Sequence, residues 1–525
     1  MDRCEMVKRY LRPIGLKLAF CCCLYSMVMA ADLVNCRDGL WNGPYYQAAH
    51  WELSLGRWAI LYWDRLLLGI HTNPWATLVT LSLFILGTGL LVDILGILPG
   101  SWQDYLVSML FLSNMIVCIS VSYLYTSGIY GLAFFLSMLC VKCILWSMED
   151  KRAVFAGAVC LALVVGLYQA YLGCITLTAL AALLLMIQEG RKPDVIGRYL
   201  RLGILTGIAG FCLYEVIQHV HMAVFHVSMS AYNGADDISL RTILTNLIPS
   251  VTRTYRTFWR YLMGMDHHWN ALPSILLRGI SIAAVIGVVG TGAMAFGEQK
   301  GEGRRLRLFF WTACIMLVPV AANIVFLLAP KSAFLEQQTA PMALSVAVIV
   351  AMVARRASAR VADRKSLLER LARKDMAAAA LGLSLLFGNV SQTLIDQEAM
   401  AEGMHASGSI AESVFQTLVQ DGLYDCEATY ALVGAPYASP LFFATPLYDK
   451  ANSYAKFGGP WWDGSELDNR AWYGLFHYRL GLELPMCDAG RYEELTRSAV
   501  VREMPVYPAE GSIQEIEGVI VIKIS

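Results

Sequence analysis

The stretch from Asn35 to Leu68 gathers Arg37, Asp38, Glu52, Arg57, Asp64 and Arg65 among tryptophans and tyrosines, in a chain that is otherwise mostly apolar. Asp38, between Arg37 and Gly39, has the type and setting of a general base that takes a proton from a hydroxyl. The same carboxylate could instead cap a helix or pair with an arginine. Arg57, in Leu55-Gly56-Arg57-Trp58, offers a guanidinium that can grip two phosphate oxygens at once or snorkel to lipid head groups. Glu52 and Asp64 are further acid candidates in the same stretch.

Farther along, Arg253, Arg256 and Arg260 recur at spacings of three and four, which puts them on one side of a helix. Tyr255, Phe258 and Trp259 are interleaved with them. Such a cationic face can hold a lipid-linked phosphate, or simply meet solvent and head groups. Asp236, Asp237, Asp266, His267 and His268 lie in the same region. A divalent cation is conceivable there, but neighbouring residues on a strand point to opposite sides, which argues against a shared metal. Tyr168, Gln169 and Tyr171 form a polar cluster suited to sugar hydroxyls or to bonds between helices. Glu215 and His219, four apart, share a helix face; ionisable groups in apolar helices usually line a cavity or a relay.

The elements that carry these residues follow from composition. The 525 residues are 57% hydrophobic and 16% charged, with a mean hydropathy of +0.51. A soluble chain would hold about a quarter charged residues, so this is a polytopic membrane protein. No large basic block is present, which argues against nucleic acid as a partner. Most of the 14 cysteines fall inside apolar runs, where they behave as small hydrophobes. The basic N-terminus and the apolar run to Ala31 read as a retained first span in preference to a signal peptide.

Eleven stretches satisfy the length expected of a span, near 13–32, 74–97, 103–122, 127–147, 153–171, 173–188, 202–225, 272–296, 308–329, 340–355 and 375–391. With eleven crossings all five basic segments fall on one side, the cytoplasm. Residues 33–73, 226–271 and 330–339 then lie outside, as does the tail from 391 to 525. In the first loop Trp51, Leu55, Trp58, Tyr62 and Leu66 recur as one face of an interfacial helix. The stretch Arg355 to Lys374 reads as a basic interfacial helix facing anionic lipid. The tail is richer in Gly, Asp and Glu and reads as a small α/β domain, with a helix at Ser409 to Gln420 and strands at 429–434 and 518–524. Cys426 and Cys487 are its only cysteines and could pair or stay free. The expected architecture is therefore mainly α: a transmembrane domain over 1–390 and an extracytoplasmic α/β domain over 391–525.

Three motifs in this order carry a resemblance: Asp38-Gly-Leu-Trp-Asn-Gly43 after the first span, Leu55-Gly-Arg-Trp58 after it, and Leu167-Tyr-Gln-Ala-Tyr171 in a later span. Over about residues 10–390 the chain resembles the bacterial membrane glucosyltransferases related to phage-encoded O-antigen serotype-converting enzymes, which are placed in the GT-C superfamily. The resemblance implies a polyprenyl-phosphate sugar donor, commonly carrying glucose, and a surface glycan as acceptor at the outer face of the bacterial inner membrane. It implies transfer with inversion, an acid of the first outer loop serving as base. Asp38 fits that position, with Asp32, Glu52 and Asp64 as competitors because Arg37 stands where a second acid sometimes occurs. Arg57, helped by Arg253, Arg256 and Arg260, would bind the donor phosphate. Trp41, Glu52, Tyr168 and Gln169 would contact sugar or acceptor. No cofactor is required with certainty, and a divalent cation stays open. The rival reading is a transporter or flippase of a lipid-linked saccharide. Such folds tend to show related halves and midplane polar sites on broken helices, and neither is visible in this sequence.

Overall fold

The computed structural model describes the chain except for residues 1–2, 32, 34–35, 233–238, 299–302, 362–373, 444 and 459–464. Asp32, Asp236, Asp237 and most of the basic stretch expected at 355–374 therefore lie outside the described residues.

Each of the eleven apolar stretches is helical, because a backbone in an apolar setting must satisfy its own polar groups. Eight of the described helices are long and apolar enough to cross a bilayer, and nine if the bent pair Trp102–Leu112 and Met115–Ser122 counts as one. That pair bends by 51°. The break falls where Asn114 Oδ1 accepts the Ile116 N–H at 3.1 Å, a side-chain cap that starts a new helix instead of continuing the old one. Two expected spans fall short of the test. Ala153–Leu167 has only 15 residues, and Arg3–Leu24 carries Arg3, Glu5, Lys8, Arg9, Arg12 and Lys17.

Lys17 is nevertheless buried, its Nζ 2.6 Å from Asp104 Oδ1, with both side chains at most 3% exposed. Asp104 also accepts from Ser108 Oγ at 3.1 Å and from the Gly100 N–H at 2.8 Å. An isolated buried charge would be prohibitive, so this pairing explains how a lysine is tolerated between apolar helices.

The first loop departs from the single interfacial helix that its periodicity suggests. It forms three short helices, Cys36–Asn42, His50–Ser54 and Ala59–Leu66. Gly56 breaks the pattern with a φ of +76°, a conformation that favours glycine. The expected stripe is split accordingly: Leu55 and Trp58 are buried while Trp51, Tyr62 and Leu66 are exposed. The helix Leu247–Leu262 does form, with Arg253, Arg256 and Arg260 on it.

The expected tail helix at 409–420 is the end of a 47-residue helix, Lys374–Gln420, that runs on unbroken from the last apolar stretch. Beyond it lies a three-stranded sheet of order β1-β3-β2, with β1 at Thr429–Val433, β2 at Ile513–Ile516 and β3 at Val519–Lys523. β3 pairs parallel to β1 and antiparallel to β2. Cys426 and Cys487 are both free thiols, one exposed and one buried.

This tail is not a separate globule. Leu40, Ala76 and Leu124 share its apolar core with Leu432, Trp472 and Ile522. The helix Glu466–Gly474 packs on Cys36–Asn42, so closely that a Cβ on Gly474 would collide with the Leu40 carbonyl. A second attachment is Asp396, fully buried, whose Oδ1 accepts the backbone N–H groups of Lys456, Phe457 and Gly458 at 2.5–2.8 Å. Phe457 is thereby placed against Tyr123 and Trp269.

Candidate functional site

The turn Leu53-Ser-Leu-Gly56 leaves its backbone carbonyls open to side-chain donors, and two spans supply them. Gln218 Nε2 bonds the Leu53 carbonyl at 2.9 Å, Gln169 Nε2 the Leu55 carbonyl at 2.7 Å, and Tyr214 Oη the Gly56 carbonyl at 3.1 Å. A side chain at Gly56 would run into the Tyr214 hydroxyl. The next residue is Arg57. The grip on the turn thus fixes where this guanidinium emerges.

Arg57 lies over the Tyr168 ring, Cζ 4.7 Å from the ring centre, a distance at which cation and π face attract. Among the described residues no carboxylate pairs with it, and its Nε is buried without an acceptor. It faces a cavity of about 470 Å³, a size suited to a small-molecule ligand. The wall combines Arg57, Tyr168, Gln169, Glu215, Gln218 and His219 with apolar residues such as Phe211, Met222, Val325 and Leu328. Glu215 and His219 reach this cavity from Pro193–Phe225, a helix whose other exposed positions are largely apolar, Ile208, Val216 and Val220 among them.

Glu52 is buried, and its two oxygens accept the Tyr46 hydroxyl and the Ala49 N–H. Burial and the adjoining Glu52 carboxylate push the Tyr46 phenol well above its ordinary range. Asp64 accepts the Ala48 N–H at 2.8 Å and lies 3.4 Å from His71. Both acids thus hold the loop together.

Asp38 is half-buried at the start of Cys36–Asn42. It does not line the Arg57 cavity. It lies within electrostatic reach of Tyr125 and Tyr130, and Arg57 is within reach of Tyr130 as well. Trp41 faces the tail, with Arg470 Cζ 4.7 Å from its ring centre.

The three arginines of Leu247–Leu262 are not equivalent. Arg253 donates to the carbonyls of Pro330 at 3.1 Å and Ser332 at 2.6 Å and packs over Phe326. Ser332 belongs to the cavity wall, so Arg253 shapes it from behind. Arg260 makes a two-pronged pair with Asp266, which holds that carboxyl below the usual carboxylate range. Arg256 is exposed. His268 is buried, stacked on Tyr261 and bonded to the Tyr261 carbonyl. His267 lies 3.9 Å from Glu336.

Sequence reasoning singled out Arg57, Tyr168 and Gln169, which the fold brings together. It did not find Tyr214 and Gln218, whose partners lie far away in the chain and leave no local signal.

Comparison with known proteins adds the chemistry. The profile of the family described as glucosyl transferase GtrII matches residues 45–354, more than half of the chain and the part that builds the cavity. The chain belongs to the GtrII glucosyl transferase family. This enzyme is accordingly a glycosyltransferase with a glucosyl transfer role, in line with its likeness to the O-antigen serotype-converting glucosyltransferases, and its long apolar helices make it a membrane protein. Searches of curated proteins and of solved structures return no match.

Proposed function

We propose that this GtrII enzyme takes glucose from a polyprenyl-phosphate donor and passes it to a cell-surface glycan, at the outer face of the bacterial cell membrane. In this reading eleven spans put the N-terminus in the cytoplasm and the tail outside. The observation that carries the proposal is the Arg57 guanidinium, unpaired and held on Tyr168 at a cavity with apolar walls between helices. A cation fixed in such a place suits an anion that arrives attached to a hydrocarbon chain.

The acceptor oxygen attacks the anomeric carbon, the bond from that carbon to the phosphate oxygen breaks, and the electron pair leaves with the phosphate. Arg57 meets the charge that builds there, a contribution worth about 3 kcal/mol of barrier for one such contact. Exposed Arg256 supplies further positive potential, while Arg253 and Arg260 act by holding the loops at 330–332 and 266. Asp38 takes the acceptor proton as general base. Inversion places attacking and leaving oxygens on opposite faces of the sugar. Base and phosphate ligand then belong on different sides of the sugar, and Asp38 lies outside the wall of the cavity that Arg57 faces. Tyr168 supports the guanidinium, Gln169 the turn that bears it and Glu52 the loop. Trp41, against the tail, offers a ring beside the acceptor path.

The test is transfer of labelled glucose from polyprenyl-phosphate glucose by purified protein. Asp38→Asn is expected to lower the rate by about 10²- to 10⁴-fold with insertion and folding unchanged. Wild-type-like transfer by that variant would remove Asp38 from the mechanism.

A further inference from the structure

One face of the helix Pro193–Phe225 contributes Phe211, Tyr214, Glu215, Gln218, His219 and Met222 to the cavity, at steps of three, one, three, one and three. The roles of these six divide cleanly. Phe211 and Met222 are apolar ends. Tyr214 and Gln218 are occupied with the carbonyls of Gly56 and Leu53. Glu215 and His219 remain, with side chains 58% and 75% exposed.

His219 Nδ1 lies 2.8 Å from the Glu215 backbone carbonyl. A carbonyl can only accept, so Nδ1 carries a proton and donates it there. The Glu215 carboxylate is 3.5 Å from the same Nδ1, and it is the only carboxylate in the cavity wall among the described residues. One stretch of wall therefore carries a carboxylate, with an imidazole one helical turn away. Arg57 provides the cation of the same cavity. A carboxylate in the wall selects a ligand that brings its own O–H groups, and it can receive two neighbouring ones.

We infer that Glu215, with His219 beside it, is the subsite that reads the hydroxyl groups of the donor hexose and sets which sugar is transferred. This rests on the reading of the Arg57 cavity as the donor site. It assigns the phosphate to Arg57 and the sugar identity to the helix face opposite in chemistry. A carboxylate that bonds a ligand hydroxyl in a cavity wall discriminates against a ligand lacking it, because the carboxylate then loses that partner.

The experiment uses full-length protein in detergent with polyprenyl phosphate, polyprenyl-phosphate glucose and the corresponding donors deoxygenated at single ring positions. Two quantities are measured, the thermal stabilisation by each lipid and kcat/KM for transfer. Wild type is expected to favour the glucosyl donor over at least one deoxy donor by about 10- to 100-fold. Glu215→Ala is expected to erase that preference and the extra stabilisation due to the sugar, while stabilisation by polyprenyl phosphate alone persists. Glu215→Gln should retain part of the preference, and His219→Ala should narrow it at a different hydroxyl. Arg57→Ala should instead weaken binding of all the lipids alike.

Unchanged discrimination in Glu215→Ala, with transfer intact, would overturn the assignment and leave the enzyme reading standing. Sugar-dependent binding that Glu215→Ala abolishes, in a wild type that transfers nothing, would sustain the subsite and overturn the reaction. Absence of both binding and transfer in wild type would overturn both.

Discussion

At the scale of single residues, the titratable groups outside the spans carry a pH signature. His268 is enclosed, and burial pushes its pKa down from 6.5 to about 4. Between those values the unfolded chain binds a proton that the folded chain refuses. The contribution of the neutral imidazole is thus fully present above about pH 6.5 and is lost as pH falls toward 4, up to about 3 kcal/mol in all. Asp266 follows at lower pH, since Arg260 depresses its carboxyl below 3.8 and its contribution fades only beneath that value. The melting temperature of wild type is therefore expected to decline from pH 6.5 to 4.5 more steeply than that of His268→Phe, which keeps a ring on Tyr261 and loses the proton site. Parallel curves would show that His268 does not titrate as an enclosed base. Residue types also explain what the sequence made visible here. Arg57 stood out because a Gly-Arg-Trp motif beside a span is chemically unusual. Its lack of a counter-charge is a fact about its surroundings and has no local trace in the sequence.

At the scale of elements, the turn at Gly56 governs where Arg57 points. Alanine there must adopt a left-handed conformation at a cost of about 1–2 kcal/mol, and its Cβ must displace Tyr214. Gly56→Ala is expected to lose about 2–4 kcal/mol of stability, measured by denaturation in detergent, and to lose transfer even at temperatures where it is folded. Gln169→Ala removes one of three grips and should cost less, about 1 kcal/mol. Equal stability of Gly56→Ala and wild type would mean the turn relaxes freely. The positions of the helices were legible because apolar length is a strong signal. The three-way break of the first loop was not, since a period near 3.6 persists in the sequence whether or not a left-handed glycine interrupts it. The three donors that stabilise the broken form come from spans more than a hundred residues away.

At the scale of the molecule, the proposed orientation puts the tail outside the cell. Among the described residues Cys426 is exposed on it, and the other exposed cysteines, Cys23 and Cys212, lie on helices of the proposed spans. In intact cells with the outer membrane opened, a membrane-impermeant maleimide is expected to label wild type more than Cys426→Ser. Labelling of Cys426 only after the inner membrane is breached would invert the topology. The tail's α/β character was readable from its composition, and its strands from their β-branched runs. Its union with the first loop was not, because Leu40, Ala76 and Leu124 look like ordinary apolar residues until Trp472 and Ile522 are packed against them.

That union has a consequence during synthesis. Leu40 leaves the ribosome hundreds of residues before the helix that covers it, and β3 comes later still. Throughout that interval the patch that will become the seam stands wet, and a prematurely terminated chain never dries it. The growing protein is thus open to chaperones, proteases and unwanted neighbours along that patch, until nearly the last of its residues arrives.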